Sequence, residues 1–164
     1  GKDYVIGNPP LLSQFYANLG DAYNALKQYE KSDNAYDEAL KIEPQNIYVL
    51  NNYAYYLSLR EDKLEQAEEL SARCNELEPD QGNYQDTYAW ILYQRKEFKE
   101  AKEWMIKSLK NGSDKSAVVV EHYGDILYRL GEINEAIIQW KAAKSLGDGS
   151  KLLDKKIKDK TIYE

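Results

Sequence analysis

The sequence predicts an all-α chain built from four repeated helix pairs and a C-terminal capping helix, and three observations carry that prediction. Turn residues are scarce: nine glycines and four prolines stand in 164 residues, about 8% where an ordinary chain holds roughly 12%. A many-turned sandwich or barrel is therefore disfavoured. A short helical word then recurs four times: Asn18-Leu19-Gly20-Asp21-Ala22-Tyr23, Asn52-Tyr53-Ala54-Tyr55-Tyr56-Leu57, Thr87-Tyr88-Ala89-Trp90-Ile91-Leu92 and His122-Tyr123-Gly124-Asp125-Ile126-Leu127. Its small residues, Gly20, Ala54, Ala89 and Gly124, are spaced 34, 35 and 35. A second small residue follows nineteen positions on (twenty in the longer second repeat), at Ala39, Cys74, Ser108 and Ala143, spaced 35, 34 and 35. Two independent markers on one period define a repeat.

The elements follow in order. Asn8-Pro9-Pro10 reads as an N-cap with proline in the first helical turn, so helix one begins near Pro9. Residues 1–8 read as irregular. Phe15/Tyr16, Leu19, Tyr23 and Leu26 then form one apolar stripe at helical spacing. A break at Gln28-Tyr29-Glu30 separates it from a second stripe, Ala35/Tyr36, Ala39/Leu40 and Ile42. Glu43-Pro44 and Glu78-Pro79 close the first two repeats, because proline cannot continue a helix. Asn111-Gly112-Ser113 and Leu146-Gly147-Asp148 close the next two with a glycine able to turn left-handed. Repeat two is one residue longer, around Asp62-Lys63. The small residues mark where paired helices cross closely, with Tyr36, Met105 and Trp140 filling space beside them.

These residues resemble the tetratricopeptide repeat. Tyr16, Leu19, Gly20 and Tyr23 match its first helix, and Tyr36, Ala39 and Pro44 its second helix and exit, with Ser32 in place of the usual alanine. In the fourth repeat Gly124, Leu127, Ala136, Trp140 and Ala143 match, without the proline. The resemblance implies a right-handed α-α superhelix, a solenoid over residues 1–164 as a single domain. Its repeats span about 13–46, 47–81, 82–116 and 117–149, and its cap about 150–160. The stretches Asn51-Asn52-Tyr53-Ala54-Tyr55 and Asp86-Thr87-Tyr88-Ala89-Trp90 also resemble bacterial tetratricopeptide proteins, many of them cell-envelope lipoproteins. That implies a periplasmic or outer-membrane-attached parent.

The two ends differ. Ser150 reads as the N-cap of the capping helix, Leu153 and Ile157 dock on the last repeat, and the lysines of this segment face water. The N-terminal end has no comparable cap. Gly1 stands where a chain would start with methionine, and Met105 is the only methionine. The chain therefore reads as a processed or excised piece whose first helix pair is uncovered and prone to self-association.

No catalytic constellation is visible, so no enzyme activity, cofactor or metal is expected. His122 is the only histidine and reads as a helix-surface residue; Cys74, the only cysteine, reads as a buried small residue at a crossing. The unbroken apolar runs are too short for a membrane span. A net charge of −6 and a pI near 5.0 argue against general nucleic-acid binding. By resemblance the first helix of each pair lines an inner groove. The residues at its contact positions are Tyr48, Asn51 and Tyr55 in repeat two, Asp86, Trp90 and Tyr93 in repeat three, and Glu121, Asp125 and Tyr128 in repeat four. Aromatics with polar tips, flanked by acids and amides, suit a neutral to basic protein or peptide. An aromatic platform beside acids and amides also suits a sugar or other small molecule, and a spacer with every ring buried is the third reading. The basic residues that would clamp a terminal carboxylate are missing: only Asn52 fits that pattern.

Overall fold

The computed structural model describes residues 7–163, all helix and connecting turns. The segment 1–6 and Glu164 lie outside the described residues, and with them most of the irregular start expected at 1–8. The chain divides into two compact bodies, one ending at Glu78 and the other starting at Pro79.

The N-terminal body holds α1 (Pro9–Ala25), α2 (Tyr29–Ile42), α3 (Ile47–Leu59) and α4 (Leu64–Leu77). As expected, Asn8 caps α1 through its side chain, with proline at the first helical positions. Pairing of α1 with α2 is set by Gly20. A Cβ there would stand 2.5 Å from the Tyr36 ring, so only glycine lets the ring lie flat on the helix. Ser32 earns its place where the pattern wants alanine: its buried hydroxyl donates to the Gly20 carbonyl at 2.7 Å. Tyr36 then stacks on Tyr53 of α3 with centroids 5.1 Å apart, which joins the first pair to the second. Cys74 is fully buried at its crossing, as expected.

The C-terminal body holds α5 (Gly82–Gln94), α6 (Phe98–Lys110), a 3-10 turn (Ser113–Lys115), α7 (Ala117–Arg129), α8 (Ile133–Leu146) and α9 (Leu153–Asp159). Ala89, Leu92, Ala101, Met105, Val119 and Ile126 form one core cluster; Val120, Leu127, Ala136, Trp140, Ala143 and Leu153 form a second. Gly124 repeats the device of Gly20, for a Cβ there would lie 2.4 Å from Trp140 Cδ1 and 3.2 Å from the Ala136 carbonyl. Gly124→Ala is expected to cost about 2–3 kcal/mol, the upper part of the range of roughly 1–3 kcal/mol for overpacking a full site. The check is chemical denaturation followed by tryptophan fluorescence, which reports this body because Trp90, Trp104 and Trp140 all lie in it.

The turn inside each pair differs from the sequence expectation. The break falls at Leu26–Gln28, and α2 already begins at Tyr29. Each such turn carries one left-handed residue, at Lys27, Glu61, Lys96 and Gly131, on the repeat period. The extra residue of repeat two supplies a second one, Lys63 with φ 47°, and aims its ammonium at buried Asp33, 3.0 Å away. Arg60 completes that pair at 2.7 Å.

The capping helix also departs from expectation. It starts at Leu153, and Ser150 does not cap it. The Ser150 N–H and hydroxyl instead donate to Glu121, at 2.7 and 2.5 Å. Leu153 and Ile157 do dock on the last pair. Lys156, expected in water, is 5% exposed.

Candidate functional site

In each first helix the contact positions fall one turn apart, so they share a face. The structure places the nine expected groove residues in three environments. Tyr48 is the exposed one, at 45%. Asn51, Tyr55, Trp90, Tyr93 and Tyr128 are half-buried, and Asp86, Glu121 and Asp125 are buried.

In the N-terminal body the Tyr48 hydroxyl donates to Asp21, which also accepts from Tyr36. The bond to the carboxylate pushes the Tyr48 phenol up to about 12, with burial and the negative charge of Asp21 adding to it. Tyr55 and Tyr56 lie beside each other with centroids 5.9 Å apart. Tyr48, Asn51 and Tyr55 thus remain together on α3, open at Tyr48. The body is strongly acidic: residues 1–78 carry fourteen Asp and Glu against seven Lys and Arg, whereas residues 79–164 carry fourteen against fifteen. Apolar side chains are exposed at Leu11 and Phe15 (48%) on α1 and at Leu26 (65%), which follows it. Of the equivalents of Phe15 in later repeats, Val49 and Val119 are buried and Tyr84 is half-buried.

In the C-terminal body Trp90 is parallel to Tyr93 (centroids 4.5 Å apart, 7°) and to His122 (3.8 Å, 14°). Two rings so close to one indole overlap unless they take opposite faces. Trp90 is therefore sandwiched and offers no open platform. His122 is not a free surface residue: its Nδ1 lies 3.3 Å from Asp86 Oδ1, and both side chains are largely buried. The contact was missed because a lone histidine carries no motif. The available signal was its register, one repeat after buried Thr87.

Glu121 and Asp125 do not face an open groove. Lys156 of α9 sits on both, with Nζ 2.8 Å from Glu121 Oε1 and 2.7 Å from Asp125 Oδ2. The Trp140 indole donates to Asp125 at 3.0 Å, and Tyr128 meets Thr161 at 2.9 Å. Burial alone raises a carboxyl pKa. It prevails at Asp125, which is raised despite Lys156. At Glu121 burial is outweighed by the bonds from Lys156 and Ser150, and the carboxyl is lowered. Burial depresses the Lys156 ammonium less than Asp125 and Glu121 hold it, so it is raised.

One ladder explains these contacts. Tyr48 donates to Asp21 on the preceding first helix, His122 meets Asp86, and Lys156 meets Glu121 and Asp125. Inward positions that the resemblance assigns to a ligand are in part consumed by stacking one first helix on the next. No helix among the described residues is long and apolar enough to cross a membrane.

Family models described as tetratricopeptide repeat match residues 13–46 and 35–69. No curated protein matches in sequence. Among solved structures, the chain is similar to Pseudomonas aeruginosa PilF (22% identity over 90% of this chain and 71% of that one, TM-score 0.73). It is similar to a MamA protein (16%, 82% and 72%, TM-score 0.69). It is also similar to YrrB, described as a TPR protein with an unusual peptide-binding site (15%, 80% and 67%, TM-score 0.64). Residues 13–69 are thus tetratricopeptide repeat by sequence, and the chain has the tetratricopeptide fold.

Proposed function

We propose that the chain is a non-enzymatic scaffold, its four repeats a single domain, which binds a neutral to basic peptide or folded partner through the aromatic faces of its first helices. The observation that carries this reading is the Tyr48–Asn51–Tyr55 face of α3, open at Tyr48 on a body with twice as many acids as bases. Tyrosine buries a large area with few torsions to freeze, and an acidic surround favours a cationic partner. YrrB, a protein of the same fold, has a peptide-binding site, which supports a peptide as one form of ligand. Trp90 and Tyr93 support the same role from the edge of their stack. A sugar platform is disfavoured, since both faces of Trp90 are covered by Tyr93 and His122.

The test is capture from a lysate of the source organism, with the full chain and with Tyr48→Ala/Tyr55→Ala. The double variant is expected to lose the captured protein at least tenfold while its thermal melt stays within a few degrees. Capture should weaken between 50 and 300 mM salt, as for any acidic–basic pairing. An unchanged captured set would end the reading. The likeness of Asn51–Tyr55 and Asp86–Trp90 to bacterial envelope lipoproteins points to envelope fractions as the lysate to use.

Self-association through α1 is the second reading, favoured by exposed Leu11, Phe15 and Leu26. The expected result is a concentration-dependent dimer in sedimentation, abolished by Phe15→Glu. A monomer at millimolar concentration would count against it.

A further inference from the structure

Lys156 lies 35 residues after Glu121, Leu153 35 after Val118 and Ile157 35 after His122. The segment from Ser150 onward therefore enters as the first helix of a fifth repeat. Among the described residues it is a short one. α9 has seven residues where α3, α5 and α7 have thirteen, and no second helix in the described chain covers its outer side. Lys151, Leu152, Asp154 and Lys155 are exposed. What holds the segment is one apolar strip, Leu153, Ile157 and Ile162, and three buried or half-buried polar anchors. The anchors are Ser150 on Glu121, Lys156 on Glu121 and Asp125, and Thr161 on Tyr128, and an exposed pair joins Asp154 to Lys144. The surface beneath thus has its own recognition chemistry. Two carboxylates face one ammonium, so the site keeps an excess of negative charge, and apolar ground lies beside it.

We propose that this face of α7 and α8 is a second docking site, specific for an amphipathic helix that carries a lysine, and that residues 150–163 occupy it as an internal ligand. The partner's helix would repeat the register of α9: an apolar residue, lysine three positions on, and a second apolar residue directly after it. Binding exchanges one lysine for another, so the segment is displaced and the carboxylates are never left unpaired. The site is distinct from the α3 face, and Tyr48→Ala/Tyr55→Ala leaves it intact.

The probe is a fluorescein-labelled peptide with the sequence of residues 149–163, titrated by anisotropy into the full chain. Wild-type protein is expected to bind it at least tenfold more weakly than Lys156→Gln protein, in which the internal anchor is weakened. The same peptide bearing Lys156→Gln is expected to bind at least tenfold more weakly than the lysine peptide. The proposal is overturned if the Lys156→Gln protein keeps its helical signal and takes up no peptide, or if both peptides bind alike. Should that variant fail to fold, hydrogen exchange on the wild-type chain decides. Amides of Ile157–Asp159 are expected to exchange at least tenfold faster than those of α8, because the segment opens separately. Exchange at the α8 rate would show that it does not lift, and would overturn the proposal.

Discussion

Raising the pH from 9 to 12 is expected to unfold the N-terminal body. Three of its fully buried groups hold their protons far longer folded than unfolded. Burial pushes the Cys74 thiol from 9.0 to about 12, with the charge of Glu78 adding to it. Burial, with the bond to Asp21, drives the Tyr36 phenol well above its ordinary 10.0, and burial beside Asp37 and Asp33 does the same for Tyr53. The sign follows from proton counts. Above pH 9 the unfolded chain releases the Cys74 proton, and above pH 10 those of the tyrosines, while the folded body keeps all three. The unfolded state binds fewer protons there, so stability falls as pH rises. Each group removes about 1.4 kcal/mol per pH unit inside its window. By pH 12 the three together remove on the order of 9 kcal/mol, comparable to the whole stability of a small domain. The measurement is helix signal by circular dichroism against tyrosinate absorbance. Both should change cooperatively between pH 10 and 12, and Tyr36→Phe/Tyr53→Phe should move the transition up by at least half a unit. Stepwise tyrosine ionisation with the helix signal intact would refute the account.

These groups also show which parts of the fold were legible in the sequence. The crossings were, because close approach leaves a trace in residue size. Gly20 and Gly124 stand where a ring of the second helix lies on the first, and Ala54 and Ala89 where the second helix has Ser71 or Met105 at that ring's position. The pattern even carries its own compensation. Where the second helix brings a ring with a polar tip, Tyr36 or Trp140, the glycine is followed by aspartate to accept from it. Where the second helix brings Ser71 or Met105, alanine is followed by Tyr55 or Trp90. The intra-pair turns were harder to read. Their left-handed residue is glycine only at Gly131; Lys27, Glu61 and Lys96 adopt it without a residue-type signal, at a cost of about 1 kcal/mol each that packing offsets.

The candidate site was legible in part, for a related reason. Residue type assigned Lys156 to water and His122 to the surface. Register assigns both to the stacking face, since they fall one period after Glu121 and Thr87, both buried. Period is the better guide in a repeat fold, because position within the unit sets burial before chemistry does. The same logic separates Tyr48, whose ring stays half in solvent, from Glu121 and Asp125, which a following helix covers.

Asp125→Ala is the substitution expected to cost the C-terminal body most. The carboxylate accepts from the Trp140 indole and from the Lys156 ammonium, both buried. Alanine leaves an indole N–H without an acceptor and an ammonium with Glu121 alone. Breaking a buried ion pair from one side costs about 3–5 kcal/mol. The equivalent change in repeat one, Asp21→Ala, is expected to cost about 1–2 kcal/mol, because Tyr48 turns to water and only Tyr36 is left unpaired. The cause is separable from simple loss of packing. If the stranded ammonium is responsible, adding Lys156→Met to Asp125→Ala should restore part of the loss, less than for an isolated pair because Glu121 then keeps only its bonds from Ser150. Denaturation of the four species, followed by tryptophan fluorescence, closes the cycle. Should the double variant be less stable than Asp125→Ala alone, the loss belongs to the indole bond and the cap's apolar contacts. The buried ion pair would then be incidental to holding the last repeat closed.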